Sequence, residues 1–126
     1  MVAYEGEKMS KSLGNLVLVS RLVAGGADPR SIRLALLSER YRNDWEWTEA
    51  HLRIANERLA SWTAWAATST GGTDDEFLTE LRERLVDDLD TAGAIAVIDA
   101  RICGGAAATV TAISAIDALL GIRLTP

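Results

Sequence analysis

Two lysines three residues apart, Lys8 and Lys11, stand in the stretch Gly6-Glu7-Lys8-Met9-Ser10-Lys11-Ser12-Leu13-Gly14-Asn15. Ammonium groups on flexible stems can follow a polyphosphate as charge shifts during its cleavage, and the hydroxyls of Ser10 and Ser12 add donors beside them. Met9, between the lysines, can rest on an apolar floor while the charges face outward. Gly14 lets the backbone turn sharply. No Gly-x-x-x-x-Gly-Lys-Ser/Thr pattern is present, so this is not a P-loop. On residue types alone, a two-lysine loop is more often a solvated basic surface than a phosphate site.

The other chemistry-bearing residues have simpler readings. His51 has no second His or Cys at metal-binding spacing and reads as a surface or capping histidine. Trp45, Trp47, Trp62 and Trp65 could stack on bases, but their spacing and acidic surroundings favour core packing. Asp87, Asp88 and Asp90 could hold a cation; a solvated helix end with Asp90 capping the next helix is the simpler account. Cys103 reads as packing in an apolar helix. One His and one Cys far apart make a zinc site built by this chain alone improbable.

These residues need elements to hold them. Val2-Ala3-Tyr4 reads as a strand stub too short to stand alone. Asn15 is placed as the cap of a short helix from Leu16, ended by Gly25-Gly26, with a β-strand as the alternative. Asp28-Pro29 starts a helix carrying Ile32, Leu34, Ala35, Leu36 and Leu37, apolar almost all round and ending near Tyr41. Asp44 to Glu49 is read as a connector with Thr48 as a cap. The next helix presents Leu52, Ala55, Leu59 and Trp62 on one face.

Ala67 to Asp74 is the one clear linker. Thr73 or Asp74 then caps a helix with Leu78, Leu81, Leu85 and Leu89 on one side. Asp90-Thr91 begins another with Ile95, Ile98 and Ile102, stopped at Gly104-Gly105. A last helix turns Val110, Ile113, Ile116 and Leu120 inward before Gly121. The expected fold is mainly α, a helix array with no convincing strand–helix–strand unit. A nucleotide-binding sheet is not legible in it.

Composition agrees. The chain has 126 residues, 48% apolar and 25% charged, enough for one real core. No apolar run approaches a membrane span, and the first residues lack signal-peptide character. The lone cysteine fits a reducing compartment, so the expected location is cytoplasmic. The net charge of −5 is uneven: residues 1–60 hold nine Lys/Arg against eight Asp/Glu, and residues 61–126 four against ten. An acidic second half disfavours a nucleic-acid partner and puts any anion site in the first half.

Lys8 to Ser12 spell KMSKS without a substitution, and Leu13-Gly14-Asn15 follows. This resembles the signature of class I aminoacyl-tRNA synthetases and their relatives. Asp28-Pro29, Ile32 to Leu37 and Tyr41-Arg42 are similar to the helix after that loop in cysteine-activating members. Asp87 to Thr91, with Ala94 and Ala96, resembles their helical C-terminal domain. Asp44-Trp45-Glu46-Trp47-Thr48 and the tail Asp117 to Leu124 resemble one branch, the cysteine ligases of mycothiol biosynthesis. The likeness spans essentially the whole chain.

The resemblance implies a C-terminal portion of such a ligase: residues 1–26 closing the nucleotide-binding catalytic domain and residues 27–126 forming the α-helical domain. It implies that the HIGH-type motif, the Rossmann-type sheet and the zinc ligands lie outside this chain, which alone would be inactive. It implies an ATP- and Mg-dependent, AMP-forming reaction that makes cysteinyl adenylate and passes cysteine to the amine of glucosaminyl-inositol, in a monomer. Lys8 and Lys11 would be catalytic. Val2, Lys8, Met9, Ser10, Lys11 and Ser12 would bind the nucleotide, Val2 through its backbone against the adenine. The alternatives are a cysteinyl-tRNA synthetase portion and a non-catalytic helical packing module.

Overall fold

The computed structural model describes residues 1–11 and 13–125. Among them lie three short strands, β1 (Val2–Tyr4), β2 (Glu7–Lys8) and β3 (Trp45–Trp47). Six helices accompany them: α1 (Val19–Ala24), α2 (Pro29–Leu37), α3 (Glu49–Ala67), α4 (Asp75–Val86), α5 (Thr91–Cys103) and α6 (Val110–Leu120). The fold is mainly α, as expected. No helix among the described residues is long and apolar enough to cross a membrane.

The sheet corrects the sequence reading. Its order is β2-β1-β3, with β1 antiparallel to β2 and parallel to β3. Glu5 and Gly6, both at positive φ, form the two-residue turn that closes the first hairpin. The segment read as a connector is therefore a strand, in register Val2↔Trp45 and Tyr4↔Trp47. Parallel pairing of β1 and β3 makes the intervening α1 and α2 a crossover connection.

The first helix begins later than Leu16. Leu18 occupies the N-cap position of α1 with no side-chain cap, and Asn15 is used elsewhere. Gly25 and Gly26 end it as expected. In α2, Asp28 accepts from the Arg30 amide at 2.9 Å and Pro29 takes the first turn. Ile32, Leu34 and Ala35 are buried, but Leu36 is exposed and the helix stops at Leu37, short of Tyr41.

Helices α3 to α6 follow their apolar faces closely. Ala55, Leu59, Trp62 and Trp65 of α3 are buried with Phe77 and Leu81 of α4, Ile95 and Ile98 of α5, and Ile116 and Leu120 of α6. Asp74 and Asp90 cap α4 and α5 through the amides of Phe77 and Gly93. The stretch read as a linker is tied to the start of α6, where the Thr70 amide donates to the Ala108 carbonyl at 3.4 Å. Leu89 leaves the face assigned to it: α4 ends at Val86, and Asp88 and Leu89 turn through left-handed φ values of 53° and 52°. Val110 is exposed as well.

Candidate functional site

The lysine loop is built on the hairpin. Lys8 closes β2 opposite Ala3, and the Met9 amide continues the ladder by donating to the Val2 carbonyl at 3.4 Å. Alternation along the strand then sends neighbouring side chains to opposite faces. Lys8 is exposed; Met9 is half-buried and packs on the core with Val2, Val17 and Leu22. Met9 lines an apolar recess of about 180 Å3 whose floor includes Ile32, Leu36 and Trp47. The sulfur-bearing side chain thus roots the loop, as the sequence led one to expect.

Beyond Met9 the chain reverses. The Gly14 amide donates to the Lys11 carbonyl at 3.2 Å, the Leu13 amide donates to Ser10 Oγ at 3.2 Å, and Gly14 takes φ +68°. Two bonds from Asn15 tie the loop together. Its Oδ1 accepts from the Ser10 amide at 2.8 Å, and its Nδ2 donates to the Lys8 carbonyl at 3.0 Å. Only this orientation of the side-chain amide satisfies both partners. Sequence reasoning took Asn15 for a helix cap; the loop, not the helix, has the stronger claim on that side chain.

Lys8, Met9, Ser10 and Lys11 therefore sit together on one short loop, with Val2 on the adjacent strand. Ser12 lies outside the described residues. Lys8 and Lys11 are both exposed, and among the described residues no carboxylate pairs with either. Two ammonium groups on a braced loop can meet an anion without first breaking an ion pair. On the hairpin turn behind them, the Gly6 amide donates to the Glu46 carboxylate, which fastens β3 to the same hairpin.

The remaining candidates stand apart from this loop in role. The Thr48 amide donates to His51 Nδ1 at 3.2 Å, which places the proton of the neutral ring on Nε2, facing Glu39 Oε1 at 3.3 Å. His51 also packs beside Trp45 and Trp47, with ring centroids at 4.9 and 6.0 Å. It is a capping histidine. Trp62 and Trp65 are core residues whose indole N–H groups donate to Asp99 and to the Ala106 carbonyl.

Asp90 is a helix cap with a lowered pKa, chiefly because the Gly93 amide donates to it, with Arg40 adding to the effect against the cost of burial. Asp88 accepts from the Tyr41 hydroxyl and pairs with Arg42. Cys103 is exposed, contrary to the packing role read for it. Among the described residues, no group of three His, Cys, Asp or Glu side chains could hold a metal ion. The zinc implied by the resemblance has no donor set among the described residues.

Residues 1–57, which contain the sheet, the loop and the start of α3, match the family model described as "tRNA synthetases class I (C) catalytic domain". Over 98% of its length, the chain is 58% identical to the "L-cysteine:1D-myo-inositol 2-amino-2-deoxy-alpha-D-glucopyranoside ligase" of Clavibacter michiganensis subsp. michiganensis, covering 30% of that protein. It is likewise 58% identical to the ligase of the same name from Clavibacter sepedonicus, and 52% identical to that of Acidothermus cellulolyticus, covering 32% of each. The chain spans about a third of the length of the curated relatives it matches.

Proposed function

We propose, from the premise that this chain is a relative of the class I tRNA synthetases and of the cysteine ligases just described, that it serves an ATP-dependent cysteine ligase. In the proposed reaction a carboxylate oxygen of cysteine attacks the α-phosphorus of ATP, and pyrophosphate leaves; magnesium, when bound, would offset charge on the phosphates. The amine of glucosaminyl-inositol then attacks the activated carbonyl carbon, loses a proton and expels AMP. Residues 1–26 would complete the nucleotide-binding part and residues 27–126 the helical part, in a cytoplasmic monomer.

The role of this chain is electrostatic. Charge builds on the departing pyrophosphate as its bond to the α-phosphorus lengthens, and Lys8 and Lys11 would meet that charge on the β- and γ-phosphates. Fixed cations aimed at developing charge lower a barrier without reorganising at the moment of reaction. Ser10 and Ser12 would add donors, and the backbone at Val2 would border the adenine. The observation that carries this reading is the pair of exposed lysines, without carboxylate partners among the described residues, held on a loop rooted by Met9.

The test uses the full-length protein that contains this chain. Lys11→Ala should lower cysteine-dependent ATP–pyrophosphate exchange by on the order of 100-fold, with little change in the KM for cysteine. Exchange within threefold of the parent would refute the assignment. Product analysis with glucosaminyl-inositol and with tRNA decides the acceptor: cysteine on tRNA would overturn the ligase reading. ATP-dependent ligation by the 126-residue chain alone would overturn its assignment as a contributing part.

A further inference from the structure

Asn15 holds a position that the reaction chemistry alone does not explain. Its side chain spans the loop from the far side, bonding backbone groups five and seven residues earlier in the chain, the Ser10 amide and the Lys8 carbonyl. These two groups flank Met9, the residue rooted in the apolar recess. The loop is therefore fixed at three adjacent residues, by a hydrogen bond from Asn15 on either side and the half-buried Met9 side chain between. Lys8 belongs to the fixed segment and Lys11 directly follows it. The turn that carries Lys11 returns through Gly14 straight to Asn15, so the same residue fixes both ends of the reversal.

We infer that Asn15 is a positioning residue for adenylate formation, acting through Lys8 and Lys11 by clamping the loop that carries them. The inference rests on the ligase reading above. Asn15 touches no reacting atom in this account. Its amide supplies a donor and an acceptor on separate atoms, which is what the Lys8 carbonyl and the Ser10 amide require. Aspartate would keep the acceptor for Ser10 and set a carboxylate against the Lys8 carbonyl. Alanine would remove both of these bonds and loosen the loop.

A chemical asymmetry makes the role testable. The β- and γ-phosphates are present while the adenylate forms and have left before the amine attacks. A residue that only aims lysines at those phosphates affects the first step and not the second. A residue that merely supports the fold lowers both steps together, along with thermal stability.

The experiment compares the full-length protein with Asn15→Ala and Asn15→Asp variants. Cysteine-dependent ATP–pyrophosphate exchange should fall roughly 10- to 100-fold in Asn15→Ala, the loss expected for two hydrogen bonds. Single-turnover transfer from preformed cysteinyl adenylate to the amine should stay within twofold of the parent. Equal losses in both steps, or unchanged exchange, would overturn the proposal. Hydrogen exchange at the Ser10 amide supplies a readout independent of activity: protection should be lost in Asn15→Ala and retained in Asn15→Asp. Unchanged protection in Asn15→Ala would overturn the clamp itself. Absence of cysteine-dependent exchange in the parent protein, with Ser10 protection lost in the variant, would sink the ligase reading and the catalytic role while leaving the clamp established.

Discussion

Asp99 makes the sharpest demand on the helical core. It lies half-buried on α5, and its two oxygens serve different partners. Oδ1 accepts from the Trp62 indole at 2.7 Å, and Oδ2 accepts from Arg58 Nε at 2.9 Å. Trp62 is 0% exposed, so without the carboxylate its N–H has no protein acceptor and water reaches it only through the space that Asp99 vacates. Asp99→Ala should therefore cost the desolvation penalty of an unsatisfied buried donor, about 1–3 kcal/mol. The Arg58 pair is partly solvated, with side-chain exposures of 23% and 36%, and adds at most about 1 kcal/mol. Alanine's higher helix propensity returns a few tenths of a kcal/mol. The net expectation is a loss of about 1–3.5 kcal/mol. With roughly 2.1 cal/mol/K per residue of unfolding entropy, this lowers Tm by about 4–13 °C.

The magnitude alone would not identify the cause, so the cycle with Trp62→Phe does. Phenylalanine fills much of the same space but carries no N–H. In that background Asp99→Ala should cost only the Arg58 contribution, about 1 kcal/mol or less, giving a coupling energy of about 1–3 kcal/mol. Asp99→Asn keeps an acceptor for the indole and should cost less than Asp99→Ala. Urea unfolding followed by far-UV circular dichroism is the suitable assay, because tryptophan fluorescence would change with the substitution itself. Additivity of the two single substitutions within about 0.3 kcal/mol would refute the reasoning.

Two further perturbations address caps. The pKa values of Asp90 and Asp28 are lowered, by the Gly93 amide and by the Arg30 guanidinium respectively. Because the folded values lie below the unfolded ones, this stability is fully present above the ordinary carboxyl range near 4 and is lost as pH falls through the folded values. Asp90→Ala should cost about 1–2 kcal/mol at neutral pH and flatten the acid limb of a stability–pH curve; an unchanged limb would refute the assignment. Gly121 ends α6 at φ +69°, and a Cβ there would stand 2.8 Å from the Arg33 side chain. Gly121→Ala should destabilise by about 1–2 kcal/mol, read from the urea midpoint, as Arg33 loses its 2.5 Å bond to the Leu120 carbonyl; a midpoint equal to the parent's would refute it.

Sequence revealed most where a local rule had no competitor. Asp28-Pro29 can cap and start a helix whatever surrounds it, and the Ala55, Leu59, Trp62 spacing repeats long enough to define a face. Reading failed where a residue's partner is distant. Glu7-Lys8 and Trp45-Glu46-Trp47 are strands only because β1 stands between them, and two or three residues carry no usable period. Leu89 continued the spacing of α4, but Asp87 and Asp88 turn the chain before it arrives. Asn15 is the instructive failure in the site. Asparagine before an apolar run is a fair cap signal, yet the same side chain can bond the preceding loop, and nothing local decides between the two.

The segment read as a mere connector ties the loop to the bundle. Trp47 lies on the floor of the recess that receives Met9, and Glu46 takes the Gly6 amide from the turn of the same hairpin. One residue later, Thr48 caps α3 and engages His51, whose other nitrogen faces Glu39 just beyond α2. Positions 46 to 51 therefore hold the hairpin on one side and α2 and α3 on the other. An antiparallel hairpin alone would be marginal in water, and a loop built on it could not keep two ammonium groups in a defined place. Parallel pairing with β3 supplies that support from the helical core. The helices thus support the lysine loop through its short sheet, which is how a chain so largely α can hold a braced loop of this kind.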